Sequence, residues 1–127
     1  MKRLLPLACV LILAGQLATC RAVAAEPPPP GRLAVAGMFT MVDFGADWCV
    51  PCRPMAPILE KLAREYQGRA AVVLVDAGRH RNLARRFEVA ALPTQIFFDR
   101  KVNEVYRHVG FWGKEGIADR LSRLGVR

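Results

Sequence analysis

The stretch "DFGADWCVPCRPMAP", Asp43 to Pro57, decides how this chain reads. It holds Cys49 and Cys52; the other two cysteines, Cys9 and Cys20, lie in the N-terminal leader. Two thiols three positions apart can hold a metal, carry a haem or take part in a disulfide. A structural zinc site takes four ligands, usually as two pairs, and the rest of the chain adds only His80 and His108, in separate segments. Covalent haem needs a histidine directly after the second cysteine, and residue 53 is Arg. Neither a metal nor a cofactor is expected. A purely structural bridge has a better claim in an oxidising compartment, but closing so small a loop removes little entropy from the unfolded chain.

The flanking residues favour redox exchange. "MFTMVDF" is apolar and rich in strand formers, and "APILEKLAREY" repeats its apolar residues at helical spacing, so Cys49 falls where a strand hands over to a helix. Free N–H groups and the dipole at a helix start stabilise a thiolate. They bring a thiol down from about 8.5 into a range of roughly 3.5–7.5 in such motifs. Pro51 fits the first turn because the N–H it lacks had no partner there. Cys52, one turn on, is expected to be shielded, which makes Cys49 the attacking thiol and Cys52 the resolving one. Asp43 is a carboxylate inside an otherwise burial-fit strand. It either points to water at the strand end, or lies beneath the cysteines with a raised pKa and takes the Cys52 proton. The second reading is preferred because apolar residues flank it on both sides. Pro93 in "ALPTQIFF" either starts a strand or follows a cis Leu92–Pro93 bond that leaves a backbone edge for a substrate chain to pair with.

Elsewhere the pattern is β-α-β-α-β-β-α. Met55, Ile58, Leu59, Leu62 and Tyr66 form one helical stripe, which Gly68 ends. "AAVVLVD" reads as a strand covered on both faces. Leu83 and Phe87 stack four apart in a short helix, and Ile117, Leu121 and Leu124 face inward from the last one. "TQIFFD" and "EVYRHVG" form a hairpin whose turn, Arg100 to Asn103, has no glycine; Asn103 is expected to take the left-handed position. The first two strand–helix steps predict parallel pairing by right-handed crossovers, and the hairpin adds antiparallel edge strands.

The chain has 127 residues, room for one domain, and 53% hydrophobic residues, enough for a core. Lys2 and Arg3, the apolar run Leu4 to Ala18 and the small residues Ala22 to Ala25 read as a secretory signal peptide over residues 1–25. "LATC", Leu17 to Cys20, supports a rival: a lipoprotein cleavage box with the lipid on Cys20. A third reading is an uncleaved tether. Residues 26–36 contain "EPPPPG" and read as a stiff linker, leaving 37–127 as the domain. Loss of Lys2, Arg3 and Arg21 with the leader takes the net charge from +8 to +5. An exported protein rarely meets nucleic acid, and no aromatics interleave with the arginines, so nucleic acid is not expected as a partner. "RHRNLARR", Arg79 to Arg86, is read first as a solvated helix face and second as a dock for an acidic partner.

These residues together resemble the thioredoxin family. "VDFGADWCVPCRPMAPILEKLAREY", "VAALPTQIFF" and "HVG" carry the resemblance over about Val42 to Gly125. Its most specific parts are Trp-Cys-x-Pro-Cys, Pro57 five residues after the second cysteine, and a Pro-Thr pair 41 residues after it. The resemblance implies an α/β thioredoxin fold, with a mixed central sheet, helices on both faces and dithiol–disulfide exchange through a Cys49–Cys52 disulfide. By position Cys49 is the nucleophile, Cys52 the resolving thiol and Asp43 the buried proton carrier. Pro93 is the cis-proline, Trp48 shields the site, and Gly110 lines the substrate groove beside Pro51 and Leu92. Implied partners are protein disulfide substrates and a membrane-bound dithiol electron donor, acting on a monomer. Export makes it similar to periplasm-facing reductants, including those that keep cytochrome c cysteines reduced; a disulfide oxidant or isomerase, or a binding scaffold with little turnover, are the alternatives. The sequence departs from the family at Val50, at Gly45 in place of a bulky aromatic, and at Leu74 in place of a lysine that pairs with the buried Asp. It also departs in a stretch before Met38 too short for a full first strand and helix. "GFW", Gly110 to Trp112, either grips a partner or plugs the core.

Overall fold

The computed structural model describes residues 33–127. The leader, Cys20 and most of the proline-rich linker lie outside the described residues. Four strands and three α-helices follow in the expected order. They are β1 (Phe39–Gly45), α1 (Met55–Glu65), β2 (Ala70–Asp76), α2 (Arg81–Arg86), β3 (Thr94–Phe98), β4 (Glu104–Val109) and α3 (Lys114–Arg123). A 3₁₀ turn, Val50–Cys52, precedes α1.

Alternation along the strands sorts the core into two layers. Val42, Phe44, Ile96 and Phe98 point to one face, where Ala84 of α2, with Leu83 and Phe87, covers them. Leu33 and Ala34 are buried in that same layer. Met41 and Phe97 point to the other face, under Met55, Leu59 and Leu62 of α1 and Ile117 and Leu121 of α3. Helices therefore cover both faces of one mixed sheet. Trp112, partly buried, packs against the core on Phe97 and stacks on His108, with ring centroids 4.2 Å apart. Its neighbour Phe111 stays exposed.

The strand order is β2-β1-β3-β4. β1 and β2 are parallel, as expected, but β3 runs antiparallel to β1, so the second parallel crossover does not occur. Thr94, the first residue of β3, pairs with Phe44, which also faces Val75 near the end of β2, so the chain re-enters the sheet near the end where β2 left it and runs back. β3 is thus an interior strand, buried at every position, and only β4 of the hairpin is an edge. β2 is the opposite edge among the described residues, and Leu74 within it is 46% exposed, so this strand is not covered on both faces.

The hairpin turn also differs from expectation. Val102, not Asn103, takes the left-handed conformation, at φ +69°. Asn103 is committed elsewhere: its N–H and its side-chain amide both donate to the Asp99 carboxylate, at 2.9 and 3.1 Å.

Candidate active site

β1 delivers Asp43 and Gly45 to the end of the sheet, and the chain then turns through Ala46–Trp48 into the 3₁₀ turn. Cys49 is its N-cap residue; its N–H donates to Ala46 O at 3.0 Å, and Cys52 N–H donates to Cys49 O at 3.1 Å. The α-helix begins only at Met55, after Pro54 as cap, so the turn beneath Cys49 is tighter and shorter than the sequence suggested. Proline at 51 and 54 removes two donors from this segment, which a 3₁₀ turn tolerates better than a continuous helix.

Cys49 and Cys52 form a disulfide. Cys52 is shielded, at 8% exposure, but Cys49 is no more open, at 5%. In the oxidised state Cys49 packs with Ala46 and Cys52 against Leu92, which hides it. Its sequence neighbours mark the way in: Trp48 is 68% exposed, and Val50 and Pro51 are also exposed. Trp48 reaches sideways to Gly78. A side chain there would meet the indole nitrogen at 3.1 Å and Asp76 Oδ1 at 3.0 Å, so glycine leaves the indole its place. Asp76 Oδ1 accepts the Gly78 and Arg79 N–H groups and fixes that turn.

The Leu92–Pro93 peptide bond is cis. Gly110, at φ +103°, donates its N–H to Pro93 O at 2.8 Å, which ties the start of β3 to the end of β4. Among the described residues the N–H and C=O of Leu92 have no hydrogen-bond partner. An extended chain can supply both.

Asp43 is buried beside Cys52. The position a Cβ on Gly45 would take lies 3.3 Å from Asp43 Oδ2 and 3.6 Å from Cys52 Sγ. Burial lifts the Asp43 carboxyl from an ordinary 3.8 to about 6, and a hydrogen bond from Gln95 pulls the other way. Gln95 Nε2 donates to Asp43 Oδ1 at 2.7 Å, across the antiparallel pair Asp43–Gln95. Leu74 is the β2 residue in register with Asp43 and brings no charge to it. Asp43, Gly45, Cys52 and Leu74 share a cleft of about 520 Å³ with Asp76 and Arg79 at its rim.

Gln95 is the site residue that the sequence reading missed. The signal was present: a lone amide in the run "TQIFF", with the same strand parity as Phe97, on the α1 side of the sheet. Gln95 Oε1 and, on the facing β4 residue, His108 Nε2 are buried without hydrogen-bond partners. Among the described residues no three His, Cys, Asp or Glu side chains gather as metal ligands do.

A fold of this topology with a disulfide at the start of a helical segment has close counterparts. The thioredoxin family model matches residues 33–123. A thioredoxin from Staphylococcus aureus is 40% identical over 83 residues, 65% of this chain and 79% of that protein. One from Staphylococcus haemolyticus is 41% identical over the same length. The X-ray structure of Fasciola hepatica thioredoxin is 33% identical, with a TM-score of 0.63 over 69% of this chain and 82% of that one. The chain belongs to the thioredoxin family and is a thiol–disulfide oxidoreductase with its disulfide-capable pair at Cys49 and Cys52.

Proposed function

We propose that this protein is an exported protein-disulfide reductase in which Cys49 attacks and Cys52 resolves. The observation that carries the assignment of roles is the position of the Asp43 carboxyl: buried, raised to about 6, and beside Cys52. In the reduced protein the Cys49 thiolate attacks one sulfur of a substrate disulfide. A Cys49–substrate mixed disulfide forms, and the first substrate sulfur leaves as a thiolate and takes up a proton. Asp43 accepts the Cys52 proton, and the new thiolate attacks Cys49 Sγ. The second substrate sulfur leaves, and Cys49–Cys52 is oxidised. Two electrons have passed to the substrate, whose two thiolates take up the Cys52 proton and one from solvent, and a dithiol donor at the membrane restores the pair. The substrate's extended backbone pairs with Leu92, ahead of Pro93 and next to Gly110, while Trp48 and Pro51 flank the exchanging sulfurs.

Export rests on the leader pattern in residues 1–25, and it places the work in an oxidising compartment where a reductant needs its own donor. Cell fractionation tests this: a chain found wholly in the cytoplasm ends the export reading. Direction is set by potential, and related proteins span about −270 to −120 mV. A glutathione titration of the purified domain is expected to fall toward the reducing end; a value near −120 mV would make it an oxidant. Turnover itself is read by insulin reduction with dithiothreitol, where Cys49→Ser is expected to abolish the catalysed rate. Equal rates for that variant and wild type would leave a binding scaffold.

A further inference from the structure

The groove that begins at Trp48 and Leu92 does not end with them. It continues past Gly78 and Ala91 to Arg81 and Arg85 of α2, an opening of about 480 Å³. Arg81 and Arg85 also border a neighbouring opening of about 520 Å³ that takes in Arg79 and Arg86. Two guanidinium groups shared by two openings make one surface, apolar beside the disulfide and basic beyond it.

Helix stability accounts for only part of this charge. Cations in the last turn suit the helix dipole, which explains Arg85 and Arg86. Arg81 is the first residue of α2, where a cation opposes the dipole, and the first turn holds no acid. Arg81 and Arg85 stand at i and i+4, a like-charged spacing that costs helix stability. Nor does pairing within the fold account for it. Arg79 is held by Asp47 and Asp76, at 3.5 and 3.3 Å. Among the described residues no carboxylate pairs with Arg81, Arg85 or Arg86; Arg85 donates only to Asn82 Oδ1, at 3.1 Å. The other face of the same helix is fully used, since Leu83, Ala84 and Phe87 pack into the core. Three exposed guanidiniums are thus presented along α2 beyond Trp48 and Leu92, and Arg81 stands among them at a cost to the helix.

We infer that this surface selects protein substrates with acidic side chains close in sequence to the target disulfide. The inference rests on the oxidoreductase reading and adds its substrate class. The apolar part takes the backbone next to the disulfide, and the arginines take the carboxylates as that chain runs on along α2. Carboxylate and guanidinium pair in a fork of two hydrogen bonds, which fixes orientation as well as attraction.

The test uses three disulfide-linked peptides of equal length, with flanks of Glu, Gln or Lys. The reduced wild-type protein is expected to favour the Glu peptide over the Gln peptide in kcat/KM by roughly tenfold at low ionic strength, with the preference shrinking as salt is added. In the double variant Arg81→Glu/Arg85→Glu the Glu-to-Gln ratio is expected to fall to one or below. Lys101→Glu, at the opposite end of the sheet, is expected to keep the wild-type ratio. Thermal melting establishes that each variant is folded. The salt dependence of wild type gives the same information without any substitution. A wild type that reduces all three peptides equally, or a double variant that keeps the preference, overturns the inference and leaves the oxidoreductase reading intact. A wild type that reduces none of the peptides, nor insulin, overturns the reading beneath it.

Discussion

Asp43→Asn is expected to make the protein more stable and less active at once, and the two effects follow opposite pH courses. The folded state holds the Asp43 carboxyl at about 6 against an ordinary 3.8. Folding therefore favours the protonated form. That advantage is fully present below about pH 3.8 and is lost as the pH rises through 6. A gap of just over two pKa units, at about 1.4 kcal/mol each, means that the ionised carboxylate costs the folded state about 3 kcal/mol at pH 7 and above. Asparagine carries no such charge, and its oxygen can still accept the Gln95 amide. The variant is expected to gain about 2.5 kcal/mol on wild type between pH 4 and pH 8, a rise of about ten degrees or more in melting temperature for a domain of this size. Urea unfolding of the oxidised proteins at pH 4, 6 and 8 reads this directly. Turnover runs the other way. Without the carboxylate the Cys52 proton has no acceptor, so insulin reduction is expected to be slowed most near neutral pH. The deficit should close above about pH 8.5, where a thiol ionises unaided. Stability curves that stay parallel across the pH range would show that Asp43 is not desolvated as described. An unchanged pH–rate profile would remove it from the proton path.

Gln95→Leu keeps the bulk and removes the donor to Asp43. Only desolvation then acts on the carboxyl, so the acid limb of the rate profile is expected to move up by about one unit; a limb that stays in place would make Gln95 structural only. Val102→Asn relieves a β-branched residue held at φ +69° in an exposed turn, and is expected to raise stability by about 1 kcal/mol in urea unfolding. A loss of stability would show that the turn depends on valine.

Period and composition place the seven elements, because the helices bury one stripe each and the interior strands read as continuous apolar runs. Direction leaves no such record. The antiparallel β3 shows only in the register, where Thr94 pairs with Phe44 at the end where β2 leaves the sheet, and a reading that counts strand–helix steps mistakes it for a parallel strand. The cysteine pair, Asp43 and Pro93 were legible because each breaks the expected character of its own segment. Gln95 breaks its segment in the same way but lies 52 residues from Asp43, and only sheet register brings the two together. The left-handed turn residue was misplaced for a similar reason. Asparagine is the better intrinsic choice, but here its side chain and N–H are taken by Asp99, and the strain falls on Val102.

The two departures from the family pattern nearest the site act on the same atoms. In the proposed cycle the carboxyl that accepts a proton from Cys52 must pass it on before the next turnover. Asp43 is only 5% exposed, so the route has to be built. Gly45 contributes no side chain at the point within 3.6 Å of both the Asp43 carboxyl and Cys52 Sγ, and the space left belongs to the open cleft that Leu74 borders. A bulky aromatic at 45 would fill the place where water can approach the carboxyl. A lysine at 74 would offer the carboxylate a counter-ion and favour its charged form. This chain instead leaves the charge to one neutral donor, Gln95, which restrains Oδ1 while Oδ2 lies on the side toward Gly45 and Cys52. A pKa of about 6 is the balance of burial against that single hydrogen bond, close enough to neutral for the proposed cycle to load and unload the proton.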